Sequence, residues 1–389
     1  MCAKKIARTA LSDTPVADDP AWIARIRRAV LSWGEQEGRE LPWRGERDPY
    51  KVLVAELMLV QTTVVAVKPF YARFLARFPK VQDLAGAEES EVLKAWEGLG
   101  YYRRARQLHA AAKSIVAQHN GVFPEDPQAI LALPGVGRYV AGAIRSFALG
   151  QRAAIVEANT QRLLARWLAW PEDLKTTRSQ TRLWSLADQL VPETQPGVFN
   201  QAFMDLGATV CLPRAPLCLL CPVSADCKSR QLGQQEIIPR TSPRPAPLIV
   251  EEACALVIQD GRWLVVQRGS GGLWDGFWEF PTIHIRGADP GGRSSGEVTS
   301  LKSGVLRLTG IVIEVGPEIH SVKFAVTKHQ VTMHVFPARS IGGGLSPGGG
   351  LVDAAWVSLE DLRKLTFGAA GRRLLTWLEK SKTSEWLSQ

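Results

Sequence analysis

Four cysteines, Cys211, Cys218, Cys221 and Cys227, follow a C-x6-C-x2-C-x5-C spacing and limit what the middle of this chain can become. The first twenty residues lack an apolar run of signal-peptide length, so a reducing, cytoplasmic setting is expected, where thiols stay unpaired unless a metal claims them. A metal site follows as the expectation. Zinc more often uses two C-x2-4-C knuckles, whereas here only Cys218 and Cys221 form one. A [4Fe-4S] cluster accepts varied spacings and needs a tight loop around it. Unligated thiols are the third reading, and the distant Cys2 and Cys254 read as ordinary thiols.

A chain of 389 residues, 46% hydrophobic, is long enough to build two cores. Apolar residues recur at helical spacing over 52–67, 91–97, 105–117, 139–147, 159–168, 183–190 and 199–209. Residues 21–230 are therefore expected to be all-helical, behind a flexible tail at 1–20. Pro239, Pro243, Pro245 and Pro247 break the pattern in a connector at 231–248. Beyond it the period becomes strand-like at 253–258, 263–267, 305–315, 322–326 and 331–336, with a last helix over 359–365 or 372–378. This predicts a mixed α and β domain at 249–384. The glycines at 342–344 and 348–350 are expected to lie in a mobile surface loop. Lys and Arg outnumber Asp and Glu by 47 to 38, a formal +9 that favours a polyanionic partner without specifying one. Apolar runs are too short to span a bilayer, and a soluble protein with no membrane partner is expected.

Two features carry chemistry. Leu133-Pro134-Gly135-Val136-Gly137-Arg138-Tyr139 lies between helical patterns, and Gly135 and Gly137 allow a tight turn just before a helix start. Backbone N–H groups gathered there suit a DNA phosphate; a plain helix-helix turn is the alternative. The second feature is a pair of carboxylates. Residues 52–60 read VLVAELMLV, so Glu56 is a lone acid in an apolar helix, where burial raises its pKa and keeps it available as a general acid. The competing reading places it at a helix edge beside an arginine. Glu157, in IVEANTQRLL, precedes a helix and reads either as a charge favoured by the helix dipole or as a second catalytic group. Breaking a glycosidic bond needs one carboxyl that donates a proton and another that stays anionic beside the cationic sugar.

The segments LPWRGERDPYKVLVAELMLVQTTV, WEGLGYYRRARQLHAAA, LPGVGRYVAGAI and FNQAFMDLGATVC, with the four-cysteine loop, resemble the helix-hairpin-helix DNA glycosylases that carry a [4Fe-4S] cluster. Within them the resemblance is to the adenine DNA glycosylase family, which removes adenine mispaired with 8-oxoguanine. It covers about residues 41–227. The resemblance implies an all-α helix-hairpin-helix domain whose cluster is held by Cys211, Cys218, Cys221 and Cys227. Glu56 matches the acid that protonates adenine N7, and Tyr139 the tyrosine that supports the reacting sugar. Related lyases place a lysine at the position of Tyr139, so a monofunctional hydrolase is implied. Trp43, Arg44 and Gln201 match the adenine pocket; Gln61 and Tyr101 match side chains that wedge into the duplex. The implied partner is double-stranded DNA with an adenine:8-oxoguanine or adenine:guanine mispair, bound by a monomer.

The family pattern is broken at two of these sites. Glu157 stands where the family has an aspartate that stabilises the oxocarbenium ion, and Val60 where it has a glutamine. In the second domain Gly272-Leu273-Trp274-Asp275-Gly276-Phe277-Trp278-Glu279-Phe280-Pro281 resembles the MutT-like (Nudix-like) domain that ends these enzymes. The following GADPGGRSSGEVTSLKSGVLRLTG lacks the glutamates that hold magnesium in a Nudix hydrolase, which makes a recognition module the expectation. Val326-Thr327-Lys328 occupies the place of a Phe-Ser-His loop that contacts 8-oxoguanine; Thr327 keeps a hydroxyl, and Lys328 or His329 is free to meet phosphate instead. Two rival readings stay open: a glycosylase of this fold for another mismatch or oxidised base, and a mismatch sensor that binds without cutting.

Overall fold

Asp19 caps the first helix through a 2.9 Å bond from Ala21 N–H to its carboxylate, and Pro20 fixes the first helical φ. From that start the computed structural model runs helix to helix, describing residues 19–240, 242, 245–269, 274–286 and 301–381. The tail expected at 1–20 falls almost wholly outside the described residues. The helices are α1 Pro20–Glu37, α2 Pro49–Leu59, α3 Val64–Arg77, α4 Val81–Gly86, α5 Glu89–Trp96, α6 Arg103–His119, α7 Pro127–Ala132, α8 Arg138–Ala143, α9 Ala158–Leu168, α10 Thr177–Leu190, α11 Pro196–Thr209 and α12 Lys228–Gln231. No helix among the described residues is long and apolar enough to cross a membrane.

Contacts divide the chain into two units, residues 1–85 with 110–243 and residues 86–109 with 244–389. In the first, α1, α9, α10 and α11 share a core built on Trp22, Ile26, Leu163, Trp167, Leu186, Phe199 and Phe203. Trp167 meets Trp22 edge-on at 6.4 Å and Phe203 at 5.3 Å. Each such side chain contributes roughly 1.5–3 kcal/mol by leaving water. Residues 52–58 of α2 are all buried, so this helix threads the unit with Glu56 inside it. Gly142 in α8 lets the helix touch the backbone of Ala154; a Cβ there would stand 2.2 Å from the Ala154 carbonyl oxygen. That close approach brings the residues after the Gly135 turn beside those leading to α9.

The helix expected across 52–67 is two helices. Val60 to Thr63 form a turn in which Gln61 takes φ 58°, a left-handed conformation that neither glycine nor proline announces. The run expected at 139–147 is helical but changes pitch, from α8 to a π-helical turn at Ile144–Ala148. Part of the connector is fastened to the first unit: Ile238 is buried against Ala165 and Ala169, and Arg166 donates to its carbonyl at 2.8 Å.

The second unit holds an eight-stranded sheet: β1 Leu248–Gln259, β2 Arg262–Arg268, β3 Trp278–Glu279, β4 Thr282–Arg286, β5 Ile311–Val315, β6 His320–Val326, β7 His329–Gly343 and β8 Leu351–Val357. Asp260-Gly261, both at positive φ, turn β1 antiparallel into β2. β1 pairs in parallel with β7 and antiparallel with β4; β7 also takes β5 and β6, while β2 takes β3 and β8. One face carries Cys254, Leu256, Val265 and Val335 beneath α15 Ala369–Lys380, the other Ala255, Val257, Leu264 and Ile313 beneath α13 Leu301–Thr309. Of the two places expected for the last helix, 372–378 lies within α15, while 359–365 holds only a short α14, Leu359–Leu362.

Residues 305–315, expected as one strand, are the end of α13, a left-handed Gly310 and then β5. Leu301, Val305 and Leu308 recur at helical spacing, and the β-branched residues after Gly310 masked that period. The glycine loop expected to be mobile is tied down: Ser346 and Gly348 donate to the Thr309 and Leu308 carbonyls at 2.8 and 2.9 Å. The segment 86–109, read in sequence with the helical domain, groups with the sheet. Glu97 accepts from Arg372 at 2.6 and 3.0 Å and from Phe367 N–H at 2.9 Å. Lys94 donates to the carbonyls of Arg363 and Leu365, and Tyr102 meets Phe277 edge-on at 4.5 Å.

Candidate active site

A cavity of 460 Å³ in the first unit is lined by Glu56, Tyr139 and Glu157 together with Trp43, Arg44, Gln61 and Gln201. Glu56 is 2% exposed, and the Tyr139 hydroxyl donates to its Oε2 at 2.7 Å. Burial pushes the Glu56 carboxyl up to about 7; the Tyr139 bond pulls the other way and the charge of Glu157 adds to the rise. Tyr139 is itself raised well above the usual range by burial and then by Glu56. A carboxyl with this pKa holds its proton in a good fraction of molecules at neutral pH and can still release it.

Glu157 is the N-cap of α9. Its Oε2 accepts from Asn159 N–H at 2.8 Å and from the Asn159 amide at 3.3 Å, while Oε1 accepts from Thr160 N–H at 2.9 Å. Thr160 Oγ1 returns the bond by accepting from Glu157 N–H at 2.8 Å. The two sequence readings thus coincide: the residue caps a helix and faces the Glu56 cavity. Burial raises its pKa, while the cap N–H groups and Arg162 draw it back. The methylene that distinguishes it from aspartate reaches over the first turn of its own helix.

Trp43 is nearly buried and meets Tyr71 edge-on at 5.4 Å, which fixes the tilt of its ring. Arg44 pairs with Asp205 at 2.7 Å. Arg39, Asp205 and Met204 line the same cavity and were missed in the sequence. Asp205 carried the signal that marked Glu56, a lone acid between Phe203 and Leu206 in an apolar helix. Gln61 is exposed at the turn between α2 and α3, and Val60 beside it is 37% exposed.

Tyr101, Thr327 and Lys328 belong to the second unit. Tyr101 stands at φ 48° and is 54% exposed, with the Arg104 guanidinium 5.4 Å from its ring. Non-glycine residues at positive φ store backbone strain and tend to mark functional positions; Gln61, Tyr101 and Thr327 all do so. Thr327, at φ 50°, turns β6 into β7, and Lys328 beside it is exposed with its carbonyl accepting from Leu248 N–H at 2.8 Å. Tyr101 and Thr327 share a different cavity of 310 Å³ with Trp274, Phe277 and Phe324. The glutamate-poor stretch at 287–300, and Gly272 and Leu273, lie outside the described residues; α13, reading LKSGVLRLT, contains no carboxylate. Glu279 pairs with Arg268 at 2.7 Å.

The hairpin residues join α7 to α8. Gly135 takes φ 77°, and Gly137 caps α8 with open space where a Cβ would be. Arg138 at the start of α8 lies over the Trp184 ring at 3.8 Å.

Cys211, Cys218, Cys221 and Cys227 are free thiols. Cys211 and Cys227 join the α1–α9–α11 core with Cys221 packed on it, and Arg166 donates to Cys211 Sγ at 3.1 Å. Burial pushes the Cys221 thiol up to about 12, helped by the other three sulfurs, so the four stand close enough to feel one another's charge. Among the described residues no group of three or more Cys, His, Asp and Glu is arranged to hold a metal ion. Four soft sulfurs gathered by one loop, with an N–H directed at one of them, fit a thiolate-ligated centre in donor type.

The family model of the HhH-GPD superfamily base excision DNA repair proteins matches residues 54–189, and that of the NUDIX domain residues 253–377. Adenine DNA glycosylase from Rattus norvegicus is 32% identical over 435 residues, covering 97% of this chain and 83% of the relative. The chain belongs to the adenine DNA glycosylase family. The Homo sapiens adenine DNA glycosylase is 37% identical over 319 residues, covering 68% of this chain and 58% of that protein, so the match spans under two thirds of the human protein's length. Among solved structures, a thermostable thymine-DNA glycosylase is 32% identical, with a TM-score of 0.51 over 55% of this chain and 98% of its own. The family's N-terminal helical and C-terminal Nudix-like domains are thus both present.

Proposed function

We propose that this chain removes adenine mispaired with 8-oxoguanine or guanine from double-stranded DNA by hydrolysing its N-glycosidic bond, acting as a monomer. The observation that carries this reading is the pairing of Glu56, raised to about 7 and hydrogen-bonded to Tyr139, with a Glu157 carboxylate held by helix N–H groups across the same cavity. Glu56 delivers its proton to N7 of the extruded adenine, which turns the base into a neutral leaving group. Glu157 stays beside the sugar as positive charge develops, its ionised form favoured by the Asn159 and Thr160 N–H groups. Trp43 offers a ring face edge to the base, and Gln201 an amide able both to donate and to accept.

Among the described residues no lysine lines the cavity, and Tyr139 offers no amine for a Schiff base, which supports a hydrolase. Gly135 and Gly137, at the α8 start, are proposed to hold a DNA phosphate with Arg138 nearby. Gln61 and Tyr101 enter the duplex as wedges, and Thr327 and Lys328 serve the opposite base and its backbone. Cys211, Cys218, Cys221 and Cys227 would hold a [4Fe-4S] cluster, which supplies redox-active iron and cross-links the loop.

Single-turnover excision, with binding measured in parallel, on duplexes bearing adenine opposite 8-oxoguanine, guanine or cytosine tests the proposal. Excision should be fastest opposite 8-oxoguanine, then guanine, and negligible opposite cytosine. Tight binding with no excision would instead establish a mismatch sensor.

A further inference from the structure

Asp205 lies in α11 and is 0% exposed, yet its carboxylate lines the same cavity as Glu56. Both its oxygens are fully used. Oδ1 takes the Arg39 guanidinium through Nε and a terminal nitrogen, each at 2.7 Å; Oδ2 takes Arg39 N–H at 2.9 Å and the Arg44 guanidinium at 2.7 Å. One carboxylate therefore binds two cations, and the group as a whole keeps a net positive charge beside the cavity.

The two arginines differ in what they have left to give. Arg39 spends its backbone and side chain on the clamp. Arg44 has one terminal nitrogen on Asp205 and, among the described residues, no other side-chain hydrogen bond, although a guanidinium has five N–H donors in a rigid plane. Its side chain is 24% exposed and lines the cavity that a base would fill, with one terminal nitrogen on Asp205 and the other beside Gly38. A planar fork fixed at one nitrogen has little freedom to turn; removing the carboxylate would release it and leave two cations side by side.

We propose that Asp205 is a positioning residue: it fixes Arg44 so that the remaining guanidinium N–H groups meet an acceptor nitrogen, N1 or N3, on the edge of adenine away from Glu56. This rests on the reading of the cavity as the adenine site. A fixed donor rewards an unprotonated ring nitrogen and opposes a base that carries N–H there, so Asp205 acts on base selection through Arg44.

The test compares single-turnover rates of the parent protein, D205N, R44Q and the double variant on duplexes containing adenine, 1-deazaadenine or 3-deazaadenine, with folding followed by circular dichroism. D205N and R44Q should each slow adenine excision by about tenfold or more, the size of a lost charge-assisted hydrogen bond. The double variant should be no slower than the slower single one, because both remove the same contact. On whichever deaza base lacks the contacted nitrogen, the parent should already be slow and neither variant should slow it further. Losses that multiply in the double variant, or that are equal on all three bases, would overturn the proposal. Should D205N fail to fold, R44Q keeps the Arg39–Asp205 pair and reads the same dependence on the base; parent-like rates there are equally fatal. A parent that excises no adenine refutes the reading of the cavity itself and takes this inference with it.

Discussion

Keeping one glutamic acid protonated near neutral pH draws on the stability of the whole fold. Below the usual carboxyl value of 4.5 the unfolded chain and the folded protein both hold the Glu56 proton; between there and about 7 only the folded form does. Stability from this group is full at low pH and falls as pH rises through that window, by about 3 kcal/mol for full burial. E56Q is neutral at every pH and escapes the loss. It should melt above the parent at pH 8, match it near pH 4, and lose nearly all excision; melting curves at the two values check this. In the parent, the single-turnover rate should decline as pH rises past about 7, since the ionised acid has no proton to give. Glu157 is tested differently. E157Q, which gives up the anion, should lose about 100-fold or more in rate. E157D keeps the charge and an excellent capping side chain, and should stay within about tenfold of the parent. Equal rates for E157Q and the parent would remove Glu157 from the mechanism.

At the level of elements, the start of α9 serves both folding and chemistry. The reciprocal bonds between Glu157 and Thr160 close the helix end, so T160V should lower stability by about 1 kcal/mol in urea unfolding while leaving the Glu157 contacts to backbone N–H in place. Much of this architecture was legible. Helical spacing gave α9, α10 and α11, and the lone acid among aliphatic residues gave Glu56. Other features leave no local mark. The left-handed Gln61 splits one apolar run into two helices without glycine or proline, because tertiary packing of α2 and α3 overrides propensity there. The π-helical turn at Ile144–Ala148 is likewise set by what packs on it: Gly197 of α11 touches the Ser146 carbonyl so closely that a Cβ would stand 2.4 Å away. The misread stretch 305–315 failed through period, since three helical apolar positions ran directly into a β-branched strand. Asp205 was readable by the same logic as Glu56 but lacked a second clue in sequence, its arginine partners lying more than 160 residues away.

Across the molecule, the cysteine loop and the segment 86–109 tie distant parts of the chain together. Protein purified under anaerobic, iron-replete conditions should absorb broadly near 400 nm and carry about four irons per chain. Stoichiometric zinc in their place would replace the cluster with a closed zinc site. The segment 86–109 raises a question of cutting rather than of chemistry. Its Lys94, Glu97 and Tyr102 contacts bind it to residues that follow the connector, so the boundary along the chain and the boundary in space do not coincide. A protease that nicks the chain near residue 243 would leave two fragments still interlocked, and they should travel as one species on size exclusion until denatured. A gene shortened at the same point would yield a protein with α5 and the start of α6 stripped of their partners: Glu97 without Arg372, Tyr102 without Phe277. Loss of activity on such a deletion therefore reports damage to the remaining piece as well as the absence of the removed one, and supplying residues 244–389 in trans is the way to tell those two effects apart.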